Sequence, residues 1–218
     1  MRRTTPGVLG THDLVLPRAF RAEEESPAQV IRILEPFVTD ARRARLREVI
    51  GRRLASVAVV LDRPYDPHNG AAVLRSCEAF AVQRLHVVER KGTPLAIAHS
   101  VARGAEKWVD VTCHASAVSA VDWARAESLP LVATHPEDER EGIQDELSAA
   151  CAARVRVPMR GFVESLNVSV SAAILLYSAT RGRSGDLDEP ARLRLYARGL
   201  YLSVAHAEEI IASALRPT

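Results

Sequence analysis

The sequence predicts an α/β fold, with a mainly parallel sheet flanked by helices and with helical N- and C-terminal extensions. From Ser56 onward, short apolar runs alternate with longer amphipathic stretches, and this order is typical of β-α-β units. The composition agrees, because 47% hydrophobic and 26% charged residues are ordinary for a globular chain of 218 residues. The longest nearly apolar stretch, Val168–Leu176, is far shorter than the ~20 residues that a membrane span needs.

Each element follows from a local pattern. A loosely docked arm, 1–25, precedes a helix that starts at Ser26-Pro27; Pro36 ends it, and a second helix covers Thr39–Arg53. The apolar runs predict strands at Val57–Leu61, Leu85–Val88, Trp108–Thr112, Leu131–Thr134 and Arg154–Val157. The amphipathic stretches predict helices at Gly70–Phe80, Leu95–Gly104, Ala117–Ala126, Ile143–Ala153 and Leu166–Ala179, and closing helices near Pro190–Gly199 and Ser203–Leu215.

These elements divide the chain into three parts: an arm with basic helices at 1–55, an α/β domain at 56–180, and a helical extension at 181–218. The net charge is only +2, but six arginines fall within Ala41–Leu54 against the single acid Glu48. Arginine's planar fork suits phosphate. The basic helix is therefore either an RNA-contacting surface, with Arg42, Arg43 and Arg45 as the contacts, or a solvated helix face.

Several common kinds of site are excluded. The three cysteines, Cys77, Cys113 and Cys151, are widely separated and form no Cys-x-x-Cys or Cys/His cluster, so neither a disulfide framework nor a metal site is expected. The chain contains no Gly-x-Gly-x-x-Gly after a strand, no P-loop, no His-Glu-x-x-His and no Gly-x-Ser-x-Gly. The lack of a secretory h-region at the N-terminus favours a cytoplasmic protein.

Two distant segments carry the functional signal. The first, Asp66-Pro-His-Asn-Gly-Ala-Ala-Val-Leu-Arg-Ser76, contains an N-x5-R pattern at Asn69 and Arg75. The second, Pro158-Met-Arg-Gly-Phe-Val-Glu-Ser-Leu-Asn-Val-Ser-Val170, sets a turn, then Ser165 and Asn167, then an apolar helix. Together these segments resemble motifs 1 and 3 of the SpoU/TrmH (SPOUT) family of RNA ribose 2′-O-methyltransferases. The Ala-Thr-His-Pro segment at 133–136 and the C-terminal helices resemble the branch of this family that modifies guanosine 18 of the tRNA D-loop.

The resemblance implies an α/β knot, S-adenosylmethionine as cofactor, tRNA as substrate and a homodimer with the apolar helix in its interface. It implies that Arg75 is the central catalytic residue, supported by Asn69, and that Ser165 and Asn167 lie beside the methyl-transfer point. It further implies cofactor contacts, largely through main chain, at Thr134, Val157, Met159 and Leu166. The alternative is that these residues have only structural roles. Motif 1 would then contain an ordinary helix arginine and a capping asparagine, and motif 3 a capping serine and a buried asparagine.

Motif 2 departs from the family pattern of an apolar strand, Gly-x-Glu-x-x-Gly and a helix. Glu139-Arg-Glu-Gly142 is present, and the resemblance makes Glu139 a catalytic candidate, but Glu137 replaces the preceding glycine. The strand is missing: Thr134-His-Pro136 runs directly into Glu137-Asp-Glu-Arg140. A strand and its connections, on the order of twenty residues, are absent. Because that strand forms a wall of the family's cofactor site, we expect weak cofactor binding.

Three functions remain open from the sequence. The first is a tRNA ribose 2′-O-methyltransferase. The second is a non-catalytic RNA-binding module of the same fold, with an impaired cofactor pocket. The third is an unrelated α/β protein whose arginine-rich helices are structural. Cofactor binding separates the first two, and salt-dependent tRNA binding separates both from the third.

Overall fold

The computed structural model describes residues 26–90, 102–134 and 143–216, which group into two compact units. One unit spans Ser56–Arg183, and the other combines the described parts of Thr11–Ala55 and Ser184–Thr218. Helices from the two ends of the chain therefore share one unit. The predicted N-terminal arm, 1–25, and most of the predicted helix Leu95–Gly104 lie outside the described residues.

A three-stranded sheet of order β1-β2-β3 belongs to the first unit. Its strands are β1 (Leu54–Asp62), β2 (Val82–Val88) and β3 (Asp110–His114). β2 and β3 pair in parallel, with Leu85 opposite Val111 and Val87 opposite Cys113. β2 is buried along nearly its whole length, as expected for a parallel strand covered by helices. Helix α3 (Pro67–Ala79) connects β1 to β2, and α4 (Ala117–Ala126) follows β3.

Helix α4 matches its prediction at both ends. The Ser116 hydroxyl accepts a hydrogen bond from the Ser119 N–H and so caps the first turn. Ala117, Ala120 and Val121 are buried together with Val88 and Leu147. These positions recur at helical spacing, so a single face of α4 packs into the core.

A second, two-stranded sheet is formed by β4 (Val132–Thr134) and β5 (Ala153–Val155), which pair in parallel around helix α5 (Asp145–Ala150). The predicted α/β class and parallel pairing are thus confirmed, but the strands form two sheets rather than one. Among the described residues no strand joins the two sheets. β5 is exposed along its length, and Val57, Val59 and Val60 of β1 are only half-buried. The implied knot stays a prediction.

The second unit is helical. It contains α1 (Pro27–Leu34), α2 (Asp40–Ile50), α7 (Glu189–Tyr201) and α8 (Ala207–Ala214), and its core includes Leu34, Leu46, Leu200 and Ile211. Ser26 occupies the N-cap position of α1, as predicted, and Thr39 is the N-cap of α2, where its side chain accepts from the Arg42 N–H. A Cβ on Gly199 would lie 2.7 Å from the Leu46 side chain, so glycine permits the close approach of α7 to α2.

Several boundaries differ from prediction. β1 and β2 each begin three residues before the predicted Val57 and Leu85. β3 begins two residues late, because Trp108 and Val109 donate to the Ala105 carbonyl and extend a 3-10 turn. α5 is six residues rather than eleven, because Ala152 donates to the Leu131 carbonyl and the chain then pairs with β4. α8 begins late, because Ser203 is bound to the preceding helix through the Leu200 and Gly199 carbonyls. In the described parts of the chain, no helix has the length and apolarity to cross a membrane.

Candidate functional site

The first half of the site is the start of α3. Asp66 is the N-cap, and its carboxylate accepts from the His68 N–H at 2.8 Å, while Pro67 occupies the first helical position. The helix therefore begins three residues before the predicted Gly70. Asn69 lies in the first turn and does not cap the helix, so the alternative of a capping asparagine in motif 1 is wrong. Its side chain remains available for other partners.

The second half is the start of α6 (Val168–Thr180), where Asn167 is the N-cap. Its Oδ1 accepts from the Ser169 N–H at 2.8 Å and from the Ser169 hydroxyl at 2.6 Å. These bonds orient the amide so that Nδ2 points away from the helix. Nδ2 donates to Asn69 Oδ1 at 3.0 Å. Motifs 1 and 3, 98 residues apart in sequence, thus meet through one direct hydrogen bond.

Packing between α3 and α6 supports this contact. At the other end of α3, the Phe80 and Tyr177 rings meet edge to face with centroids 6.1 Å apart. Such an aromatic contact contributes about 0.5–1.5 kcal/mol beyond the area it buries. The side chains of Val73, Leu74 and Cys77 anchor α3 in the core. The helix start that carries Asn69 is therefore held by the fold.

Arg75 lies further along α3 and is exposed. Six residues separate it from Asn69, which corresponds to about 9 Å along a helix axis. No hydrogen bond or ion pair of its guanidinium is found within the described part of the chain. A guanidinium offers five donors and no acceptor, so Arg75 can bind a phosphate oxygen presented at this surface.

Three of the predicted cofactor residues lie within the segment 156–167, which has no helix or strand. Thr134 is exposed at the end of β4, and Val157, Met159 and Leu166 are half-buried. Among the described residues, no backbone–backbone hydrogen bond involves 157–166. A Cβ on Gly161 would meet nothing within 4 Å, so the fold itself does not require glycine there. Available main-chain donors and acceptors beside apolar side chains fit an adenosyl group.

The remaining predicted site residues are placed as follows. Ser165 is exposed on the same segment, two residues before Asn167. Glu139 lies outside the described residues. In the ranges that are described, no three His, Cys, Asp or Glu side chains are grouped as a metal site would require.

The basic helix α2 is largely ion-paired within its own unit. Arg42 Nε donates to the Ser203 hydroxyl at 3.1 Å, and Arg45 pairs with Glu48 at 2.8 Å. Arg43 binds the carboxylate of Asp40, whose pKa is held below its usual value by this contact. Arg53, a member of the same sequence cluster, is only 1% exposed and cannot contribute to an outer surface.

Sequence reasoning missed a contact at the end of β1. Asp62 Oδ2 accepts from the Gln144 N–H at 2.6 Å, and Asp62 Oδ1 accepts from the Gln144 Nε2 at 2.7 Å. The Asp62 side chain is only 8% exposed. This contact attaches the first residues after motif 2 to the C-terminal end of β1. A lone acid directly after an apolar strand was the available signal, but nothing in the sequence names Gln144 as its partner.

A hollow of about 670 Å³ lies in the helical unit and is lined by residues of α7, α8 and their connection, including Tyr201, Val204 and Ala212. It contains none of the predicted site residues. The functional interpretation therefore rests on the meeting of α3 and α6.

Residues 56–141 and 138–177 match the model of the SpoU rRNA methylase family, and together they cover more than half of the chain. The chain belongs to the SpoU rRNA methylase family. The match includes both helix starts that meet at Asn69 and Asn167.

Named relatives within this family are tRNA (guanosine(18)-2′-O)-methyltransferases. The Thermus thermophilus enzyme is 32% identical, covering 70% of this chain and 89% of the relative, and the Escherichia coli enzyme is 32% identical, covering 65% and 70%. Among solved structures, the Aquifex aeolicus TrmH/SpoU tRNA modifying enzyme superposes with a TM-score of 0.66 at 26% identity, covering 76% of this chain and 98% of that one. An AdoMet-bound rRNA methyltransferase from Sinorhizobium meliloti gives 0.53 at 25%, covering 62% and 59%.

The SpoU alignments also contain a gap in this chain. The Thermus alignment spans 174 positions, whereas 70% of 218 residues is about 153, so about 20 positions face no residue here. The Escherichia alignment spans 162 positions against about 142 residues, which leaves a gap of the same size. The family match itself is divided at 138–141, within motif 2. These figures agree with the size and place of the strand that motif 2 lacks.

Proposed function

We propose that this chain transfers a methyl group from S-adenosylmethionine to a ribose 2′-hydroxyl of tRNA, at guanosine 18 of the D-loop. The observation that carries the proposal is the Asn69–Asn167 hydrogen bond, because it joins the two motifs into one site. The names of the Thermus and Escherichia relatives support the choice of substrate and nucleotide. The AdoMet-bound Sinorhizobium structure supports the choice of cofactor.

In this proposal the chain's own residues position the reactants. Arg75 binds the phosphate next to the target nucleotide and so holds the 2′-hydroxyl in line for attack. Asn69 and Asn167 fix the two helix starts between which the ribose lies, with Ser165 beside them. Thr134, Val157, Met159 and Leu166 bind the cofactor, which supplies the methyl group when bound. Glu139, from the Gly-x-Glu pattern of motif 2, completes the set.

Methyl transfer to defined RNA tests this proposal. We would incubate the chain with S-adenosylmethionine labelled in its methyl group and a tRNA transcript carrying guanosine 18. A second transcript with 2′-deoxyguanosine at that position lacks the attacking oxygen and is the matched control. The proposal predicts label only in the first transcript. Equal labelling of both transcripts would rule out ribose 18 as the acceptor.

We further propose that the active form is a homodimer in which α6 lies at the interface. Val168, Val170, Ile174 and Tyr177 are 40–55% exposed on this helix in the single chain. An apolar helix that exposes this many large side chains is typical of an interface. Light scattering at micromolar concentration should give the dimer mass, and Ile174→Glu should give the monomer. A monomeric parent chain would contradict the proposal. We also propose a cytoplasmic location, which suits a tRNA substrate.

We propose that the parts at 1–55 and 181–218 contribute RNA contacts and that 56–180 carries the chemistry. Arg42 and Arg45 are exposed, and a phosphate can displace their weak surface partners. Arg42→Ala with Arg45→Ala should lower the log–log salt slope of tRNA binding by about 0.7–0.9 for each lost phosphate contact. Arg43→Ala should also lower the melting temperature, because Arg43 donates to the Glu35 carbonyl. An unchanged salt slope would identify these arginines as structural.

A catalytically impaired RNA-binding module is the second candidate. It is favoured by one specific observation, the gap of about 20 positions at motif 2. The segment 157–166 agrees with it, since none of its backbone groups hydrogen-bonds to the backbone of another described residue. In this case tRNA binding persists with weak cofactor binding and little turnover. Calorimetric titration with S-adenosylmethionine distinguishes the two candidates.

A further inference from the structure

The loop between β1 and α3 exposes an aromatic ring next to the candidate site. Tyr65 is 84% exposed, which is unusual for so large a side chain at a helix start. The guanidinium of Arg90 lies over this ring, 5.0 Å from its centroid. The two side chains therefore form a flat, positively charged surface rather than an isolated exposed ring.

Backbone contacts hold this pair in place. Arg90 Nε donates to the Arg63 carbonyl at 3.3 Å, and the Arg63 N–H donates to the Val88 carbonyl at 2.9 Å. Arg63 has a φ of +45°, a conformation that a side-chain-bearing residue adopts only when its surroundings require it. These two hydrogen bonds hold the loop after β1 against the end of β2. The ring and the guanidinium are presented at the strand ends, where α/β proteins commonly bind their ligands.

The pair also lies within reach of the meeting point of the two motifs. Tyr65 directly precedes Asp66, the N-cap of α3, and Asn69 follows four residues later. Four residues span at most about 14 Å even when fully extended. A nucleotide whose ribose lies at Asn69 therefore has its immediate neighbours, rather than distant parts of the RNA, near Tyr65.

We propose that Tyr65 and Arg90 form a stacking platform for an unpaired nucleobase that flanks the target ribose. This inference rests on the proposed function, because it takes RNA as the substrate. Unpaired bases in RNA stack on aromatic rings and on guanidinium planes, and this mode of binding tolerates different bases. The platform selects a flipped-out or looped neighbour, so it discriminates single-stranded from paired RNA around the target.

Binding of a D-loop RNA with 2-aminopurine next to guanosine 18 tests the platform, because stacking changes the fluorescence of this base. For Tyr65→Ala we expect RNA affinity about 5- to 100-fold weaker, with the fluorescence change lost and the salt slope unaltered. Tyr65→Phe keeps the ring and should bind like the parent. Arg90→Ala removes a charge as well as a stacking plane, so it should also lower the salt slope by about 0.7–0.9.

A second stacked pair of the same unit is the matched control. The guanidinium of Arg84 lies over the Trp123 ring, 5.1 Å from its centroid, and Arg84 also pairs with Glu127. Trp123 is half-buried, so Arg84→Ala should lower the melting temperature without changing RNA affinity. Tyr65→Ala should leave the melting temperature and cofactor binding unchanged. Parent-like RNA binding and fluorescence in Tyr65→Ala would overturn the platform alone. A parent chain that binds no tRNA would overturn the platform together with the proposed function.

Discussion

At the scale of single residues, the site depends on how two asparagines share their hydrogen bonds. Asn167 uses its oxygen to cap α6 and its amide nitrogen to reach Asn69, so one side chain serves both the fold and the site. Asn69 is released for this contact because Asp66 caps α3. The motif spacings alone predicted both residues, but the sequence contained no sign that they touch.

Variants of Asn167 separate the two roles. Asn167→Ala removes the cap and the contact, and we expect a loss of about 0.5–2 kcal/mol in the free energy of unfolding. Asn167→Asp keeps a capping oxygen but replaces the donor by a carboxylate that faces Asn69 Oδ1. It should retain most of the stability and lose RNA methylation. Urea unfolding and methyl transfer, measured on both variants, separate the capping role of Asn167 from its contact with Asn69. Wild-type turnover in Asn167→Asp would show that the hydrogen bond between the motifs is dispensable.

Arg75 provides the second prediction at this scale. Arg75→Ala should reduce methyl transfer by about 10²-fold or more, because loss of a group that positions the nucleophile commonly costs this much. Binding of S-adenosylmethionine should be unchanged, since the proposed role of Arg75 lies on the RNA side. The matched control is Arg125→Ala, which removes an exposed arginine from α4, where it pairs loosely with Asp122. Equal losses in the two variants would deny Arg75 any special role.

At the scale of elements, a buried contact joins the residues that follow the shortened motif 2 to the end of β1. Both carboxylate oxygens of Asp62 bind Gln144, at the point where α5 begins. The contact ties the second sheet's connecting helix to the end of β1. The pattern of apolar residues could not predict this contact, because it depends on the single carboxylate of Asp62.

Asp62→Ala should therefore be costly. Hydrogen bonds to a charged group contribute about 1.5–3 kcal/mol each, and here the partner N–H groups are left without it. We expect a loss of about 2–4 kcal/mol in the free energy of unfolding, measured by urea denaturation. Gln144→Ala keeps the backbone N–H and removes only the side-chain bond, so its loss should be clearly smaller. Equal stability of Asp62→Ala and the parent would show that α5 is held in another way.

The packing of β2, β3 and α4 predicts acid sensitivity. His86 Nδ1 and His114 Nε2 lie 2.9 Å apart, and the Trp123 ring stacks on His86 with centroids 3.5 Å apart. Burial, together with His114 and Arg84, lowers the pKa of His86 to about 3, and burial also lowers the pKa of His114. In the unfolded chain both groups bind protons below about pH 6.5.

The folded state is therefore disfavoured as the pH falls from 6.5 toward 3. At pH 5, His86 alone should reduce the free energy of unfolding by about 1–2 kcal/mol relative to pH 7.5. Arg84, which pairs with Glu127, contributes to the low pKa of His86. Urea denaturation at pH 5 and pH 7.5 measures this decrease in the free energy of unfolding. His86→Leu should show a smaller difference between them, and an undiminished difference would assign the acid sensitivity to other groups.

Sequence patterns predicted most elements, and the failures have physical causes. α4 was predicted residue for residue because its cap and its buried face are both local signals. β3, α5 and α8 were misplaced where hydrogen bonds from outside the element decide its ends, as with Ala152 and the Leu131 carbonyl. The Tyr65–Arg90 pair was missed because its two members come from separate loops. Local periodicity contains no information on such contacts.

At the scale of the whole molecule, the chain has the two helix starts that resemble motifs 1 and 3, but its described strands form two small sheets instead of one. Among the described residues three strands pair in one sheet and two in another, the alignment with the Thermus relative leaves about 20 positions without a residue here, and the family match is divided at 138–141. Among the described residues, Val57, Val59 and Val60 of β1 are half-buried and β5 is exposed. We therefore expect cofactor binding, rather than RNA binding, to be the weaker function of this chain.

Calorimetric titration with S-adenosylmethionine tests this account most directly. The unmodified 218-residue chain should bind the cofactor weakly and show little methyl transfer. A variant with a Val/Leu-rich strand ending in Gly-x, inserted before Glu139, should gain both tight binding and turnover, while a polar insert of equal length should gain neither. Tight cofactor binding and full turnover by the unmodified chain would contradict the account, because they would show that motif 2 is functional as it stands.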